Sequence, residues 1–141
     1  MNHTSSREPL PRRRRGVTHT VDVGGADVSM TANRFADGRP AEVFAKWGKE
    51  GSTTRGLMDA FSTVLSLALQ YGVPAEVVVA KLKNTRFEPL GTTDDPDLPE
   101  VTSVVDWVAR RIALDYLSEE DTDDTAVGQL VILDDVRRNT A

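Results

Sequence analysis

The sequence predicts an α+β domain, a three-stranded antiparallel meander followed by three helices packed on one face. Two observations carry this. Apolar residues alternate with polar ones from Val17 to Trp47, broken at two turn signals, and after Gly51 the apolar spacing changes to three and four. The chain has 141 residues, 39% of them hydrophobic, which suits one core of ordinary size.

Val17, His19, Val21 and Val23 alternate with Thr18, Thr20 and Asp22 as in a half-buried strand. Gly24-Gly25 supplies the positive φ angles of a tight hairpin, and Val28, Met30 and Ala32 repeat the alternation on the return. Asp37-Gly38-Arg39-Pro40 is a second turn, leading into a third strand with Val43, Ala45 and Trp47 on one side. Phe44 and Trp47 then fall on opposite faces, and the free edges of so small a sheet invite pairing into a homodimer.

Leu57, Phe61, Val64, Leu65 and Ala68 share one face of the first helix and predict the side turned to the core. Ser52 or Thr53 is its natural N-cap and Gly72 its C′ residue. A second helix runs from Ala75 to Lys83, with Pro74 in its first turn and Glu76 near its positive end. Residues 94–99 hold two prolines and three acids and read as a solvated loop. Val101, Val104, Val105, Val108 and Ile112 define a third helix ending near Leu117.

Charge divides the chain further. Residues 1–16 carry +4 and two prolines and read as a disordered basic arm, residues 17–117 form the domain, and residues 118–141 carry −5 and read as an acidic linker and tail. Within the tail, residues 126–136 have no clean period and fit a short helix or strand. The whole chain is acidic, with net charge −5 and a pI of about 5.0. With no cysteine there is no disulfide, zinc thiolate, thiol nucleophile or thiyl radical. Two histidines, His3 and His19, do not make a metal site, and no apolar run is long enough to span a membrane. A cytoplasmic protein is the simplest expectation, and Met1 with its short arm suggests a separate gene product.

Two segments are candidate binding sites. The turn Lys49, Glu50, Gly51, Ser52, Thr53, Thr54 joins a strand to a helix and offers backbone amides, hydroxyls and a lysine to an anion such as phosphate. It lacks the Gly-Lys-Ser/Thr ending of a Walker loop, and the plainer reading is a capping turn. The block Arg12, Arg13, Arg14, Arg15 can contact phosphates of nucleic acid or the acidic surface of a partner, although no aromatic residues interleave with it. His19 reads as a packed, hydrogen-bonded residue, Trp47 and Trp107 as core or interface, and no catalytic set emerges.

Long stretches of the chain resemble one family. Arg14-Arg15-Gly16-Val17-Thr18-His19, the turn from Asp37 to Phe44, residues 49–59, Leu65 to Pro74, Arg86-Phe87-Glu88-Pro89, Ser103 to Asp106 and Leu114-Asp115-Tyr116-Leu117 look like the C-terminal region of adenosylcobalamin-dependent (class II) ribonucleotide reductases. The resemblance covers about residues 14–117. That region is related to small domains named for a Thr-Ser-Cys-Pro-Asp (TSCPD) signature, matched here by Thr102-Ser103-Val104-Val105-Asp106, with Val104 and Val105 in place of cysteine and proline. The resemblance implies a relation to ribonucleoside-diphosphate reductase. It implies neither that activity nor bound adenosylcobalamin here, because the family's catalytic barrel and its cysteines are absent from this polypeptide. The two replacing residues read as buried, structural valines.

Three functions are consistent with this. The first is a non-catalytic accessory module that binds a reductase catalytic chain or a second copy of itself. The second is a nucleotide- or nucleic-acid-binding regulator that uses the turn at Lys49–Thr54 and the arginine arm. The third is one piece of a split enzyme.

Overall fold

The computed structural model describes residues 6–117. The meander forms as its alternation requires. Strands β1 (Gly16–Val23), β2 (Ala26–Arg34) and β3 (Pro40–Trp47) pair antiparallel in the order β1-β2-β3, with His19 opposite Met30 and Met30 opposite Ala45. Gly24 and Gly25 take φ of 55° and 93° in the hairpin turn, a region that a side chain disfavours. Helices α1 (Thr53–Gln70), α2 (Ala75–Leu82) and α3 (Val104–Tyr116) follow. Val21, Val23, Val28, Met30, Val43 and Ala45 on the inner face of the sheet meet Val78 and Val79 of α2 and Trp107, Val108 and Ile112 of α3 in one core.

Two short strands interrupt the run between α2 and α3. β4 (Gly91–Thr92) pairs with β5 (Glu100–Val101), so Val101 belongs to a strand and α3 starts three residues later than its spacing suggested. Thr92 and Asp94 continue along β1, where the Thr92 carbonyl accepts from Gly24 N–H and the Asp94 N–H donates to the Asp22 carbonyl.

α1 corrects part of the expected core face. Leu65 is buried and Phe61 packs on the core as expected, but Leu57 and Val64 are each 66% exposed, and Met58, Ser62, Ser66 and Leu69 are buried in their place. The reason lies in β3, whose odd-numbered residues turn their backbone groups away from β2. Ser66 Oγ accepts from Val43 N–H at 3.0 Å and donates to the Val43 carbonyl at 3.1 Å. One turn earlier, Ser62 Oγ accepts from Ala45 N–H at 2.9 Å, and one turn later the Gln70 amide donates to the Ala41 carbonyl at 3.0 Å. The serines at i and i+4 thus take the place of a fourth strand, and an apolar side chain there would leave buried amides without partners. Pairing of two copies through β3 is thereby closed.

Ser66→Ala is expected to cost about 1–3 kcal/mol, the price of leaving a buried backbone group unpaired. Urea unfolding checks this, with the exposed Thr63→Ala as a control expected within about 0.5 kcal/mol of the parent.

Candidate functional site

The turn at Lys49, Gly51, Ser52, Thr53 and Thr54 lies at the start of α1. Ser52 is the N-cap, its Oγ accepting from Arg55 N–H at 3.2 Å and donating to the Lys49 carbonyl at 2.5 Å. Thr54 packs so closely on Gly48 that a Cβ at Gly48 would sit 2.9 Å from its methyl group. The hydroxyl at the centre of this turn therefore serves the helix itself. An adjoining cleft of about 530 Å³ holds Lys46 and Arg55 but also Asp22, Asp27 and Asp94, a lining of mixed sign.

The arginine block lies at the other end of β3. Within residues 1–16, expected to form a disordered arm, Glu8 and Arg14 are bonded to the domain: Glu8 N–H donates to the Gln70 carbonyl, Arg39 pairs with Glu8, and Arg14 reaches Glu42 at 2.7 Å. Arg12, Arg13 and Arg15 are exposed. Glu42 and Lys49 stand at opposite ends of β3, so the structure does not bring the two candidate sites together. The low-period segment at 126–136, the acidic stretch and His3 lie outside the described residues.

What the fold does assemble is a polar centre around α3. Ser103 caps the helix by accepting from Asp106 N–H at 2.9 Å. The Asp106 side chain is fully buried and accepts three bonds: from Asn84 N–H at 2.7 Å, Thr102 N–H at 2.9 Å and Arg110 Nε at 2.9 Å. Thr102 Oγ1 donates to the Thr85 carbonyl, and the Thr102 carbonyl accepts from Phe87 N–H. The threonine, serine and aspartate thus clasp the loop after α2 to the first turn of α3. Burial alone would raise the Asp106 carboxyl, but the Thr102 and Asn84 amides and the Arg110 guanidinium outweigh it and hold the pKa below the ordinary value. Between serine and aspartate, Val104 is fully buried, whereas Val105, expected to be buried, is half-buried.

A second set lies one turn further along α3. Arg111, only 6% exposed, donates to Asp95 at 3.1 Å, Asp97 at 3.1 Å and Asp115 at 2.8 Å. Trp107 Nε1 donates to Asp95 Oδ2 at 2.9 Å, and His19 Nε2 lies 2.9 Å from Asp115 Oδ2. The loop read as solvated thus sends Asp95 inward as a counter-charge. Burial pushes the Asp95 carboxyl up, and the bonds from Trp107, the Asp97 amide and Arg111 bring it down past its ordinary value. The Asp115 carboxylate, against the cost of burial, raises the Arg111 pKa. Among the described residues no group of histidine and carboxylate side chains is arranged to hold a metal.

The TSCPD domain family matches residues 3–116. The chain belongs to that family. Its TSCPD domain is 53% identical over 114 residues to vitamin B12-dependent ribonucleotide reductase of Streptantibioticus cattleyicolor, covering 81% of this chain and 19% of that protein. The reductase of the same name from Rhodopirellula baltica is 44% identical over 122 residues, covering 86% of this chain and 12% of that protein. That of Agrobacterium fabrum is 42% identical over 116 residues, covering 82% and 9%. The chain therefore spans about a fifth or less of the length of these relatives. No solved structure matches it. The matched region contains the whole clasp of Thr102, Ser103 and Asp106.

Proposed function

We propose that this TSCPD domain protein is a non-catalytic accessory module that acts by binding a reductase chain of the B12-dependent class, in deoxynucleotide metabolism. One observation carries the reading: the chain matches the TSCPD domain family over residues 3–116 yet spans only 9–19% of the B12-dependent reductases it resembles, and its Thr102, Ser103 and Asp106 are all engaged in folding the domain.

In this reading adenosylcobalamin is not held by this chain, whose clefts at the meander and beside α1, of about 360 to 700 Å³, lie open at the surface. In this reading the cofactor belongs to the partner.

Titration of the full chain into a purified B12-dependent reductase polypeptide, followed calorimetrically at low and high salt, tests the proposal. Association with a Kd of about 10 μM or tighter at both salts is expected. Absence of heat at either salt overturns it.

The exposure of Arg12, Arg13 and Arg15 favours a second reading, a nucleotide- or nucleic-acid-binding regulator. Single-stranded DNA would then raise the melting temperature by mass action, an effect lost in high salt and in the triple serine variant of those arginines. Deoxynucleotides would do so through the turn at Lys49–Thr54.

A further inference from the structure

α1 is apolar on two sides. One side is buried against β3 and the core, as described. The other carries Leu57, Val64 and Tyr71 at a spacing of seven, with Ala60 and Leu67 between them, and it faces outward. Leu57 and Val64 are each 66% exposed, Tyr71 49% and Leu67 39%. Of the eight large apolar side chains exposed among the described residues, four lie on this stripe or at its end, and Val73 and Phe44 flank it. From Ala60 to Ala75 the sequence carries no Asp, Glu, Lys, Arg or His, in a chain that is 28% charged. A helix apolar on opposite sides is one that is covered on both.

We infer that this stripe is the interface for a second copy of the chain, packed helix against helix in antiparallel fashion about a two-fold axis at Val64. The stripe is self-complementary in that arrangement. Val64 meets its own equivalent, Leu57 lies opposite Tyr71, and Ala60 opposite Ala68, which lets the two backbones approach closely on either side of the axis. No charge is desolvated anywhere along the contact. The positive N-terminal end of each helix lies beside the negative C-terminal end of the other. A parallel pair would set like ends together. The contact is formed by the outer side of α1, so it leaves the serine bonds to β3 and the polar centre of α3 untouched. It does not depend on the reductase partner.

Sedimentation velocity of the full chain between about 1 and about 100 μM is expected to show a monomer–dimer equilibrium. Val64→Glu sets two carboxylates face to face on the axis and is expected to weaken it by about thirtyfold or more, with an unchanged circular dichroism spectrum because the site is exposed. Since the chain has no cysteine, crosslinking fixes the geometry. Val64→Cys is expected to give a disulfide dimer under a thiol oxidant. Leu57→Cys is expected to give none, its two thiols lying about 20 Å apart in the antiparallel pair. A monomer throughout the range, a dimer indifferent to Val64→Glu, or ready self-crosslinking of Leu57→Cys each overturns the inference. Binding of Val64→Glu to the reductase polypeptide separates this outcome from that of the proposed function.

Discussion

Asp106→Ala is expected to destabilise the domain by about 3–5 kcal/mol, the range for removing one partner from a buried, bonded charge. The carboxylate has no exposure, and its loss strands the Asn84 and Thr102 amides and the Arg110 guanidinium at once. Asp106→Asn keeps the volume and part of the hydrogen bonding, and should cost less. Urea unfolding of both variants at neutral pH checks the ordering.

The pH dependence follows from the same bonds. Because the folded Asp106 pKa lies below its unfolded value, the group's contribution is fully present above about pH 4 and is lost as pH falls through the folded pKa. Asp95 acts in the same direction. The parent should therefore lose stability progressively below about pH 4, and Asp106→Asn should show a shallower decline over that window.

Arg111→Met should be comparably severe, again about 3–5 kcal/mol. Methionine fills the space but leaves Asp95, Asp97 and Asp115 around it without their shared cation. Two of these are well shielded from solvent, with side-chain exposures of 9% and 19%, so repulsion there is poorly screened. The residues affected lie on the 94–99 loop and at the end of α3, beside Trp107 and His19. Thermal unfolding should show a large fall in midpoint, partly restored when Asp95→Asn is added, since that change relieves the uncompensated charge.

The meander was legible because each of its strands is long enough to show a period and each turn carries its own chemistry. β4 and β5 were not, since two residues have no period. On α1 the spacing revealed an apolar face but not which of two faces the domain buries. The deciding residues are Ser62 and Ser66, polar side chains whose value depends on a strand edge seventeen to twenty-three residues away. The α3 centre divides in the same way. Ser103 and Asp106 stand at capping-box spacing, and Arg111 and Asp115 at i,i+4, both local signals. The pairing of Arg111 with Asp95 and Asp97 is long-range, and the acids read from sequence only as a hydrophilic loop. The anion turn was legible as a turn, with its hydroxyl assigned by the structure to the cap.

The contact between His19 and Asp115 ties the first strand of the domain to the last turn of its last helix. Gly16 is three residues, or about 10 Å of strand, from His19, and Leu117 is two residues from Asp115. The domain thus receives the backbone and hands it back at nearly the same place. A unit with adjoining entry and exit can be carried at the end of a long polypeptide, joined to one by a short connector, or used apart from it, without any internal element having to move. That portability accounts physically for one fold serving as most of this chain and as a small fraction of proteins several times its length.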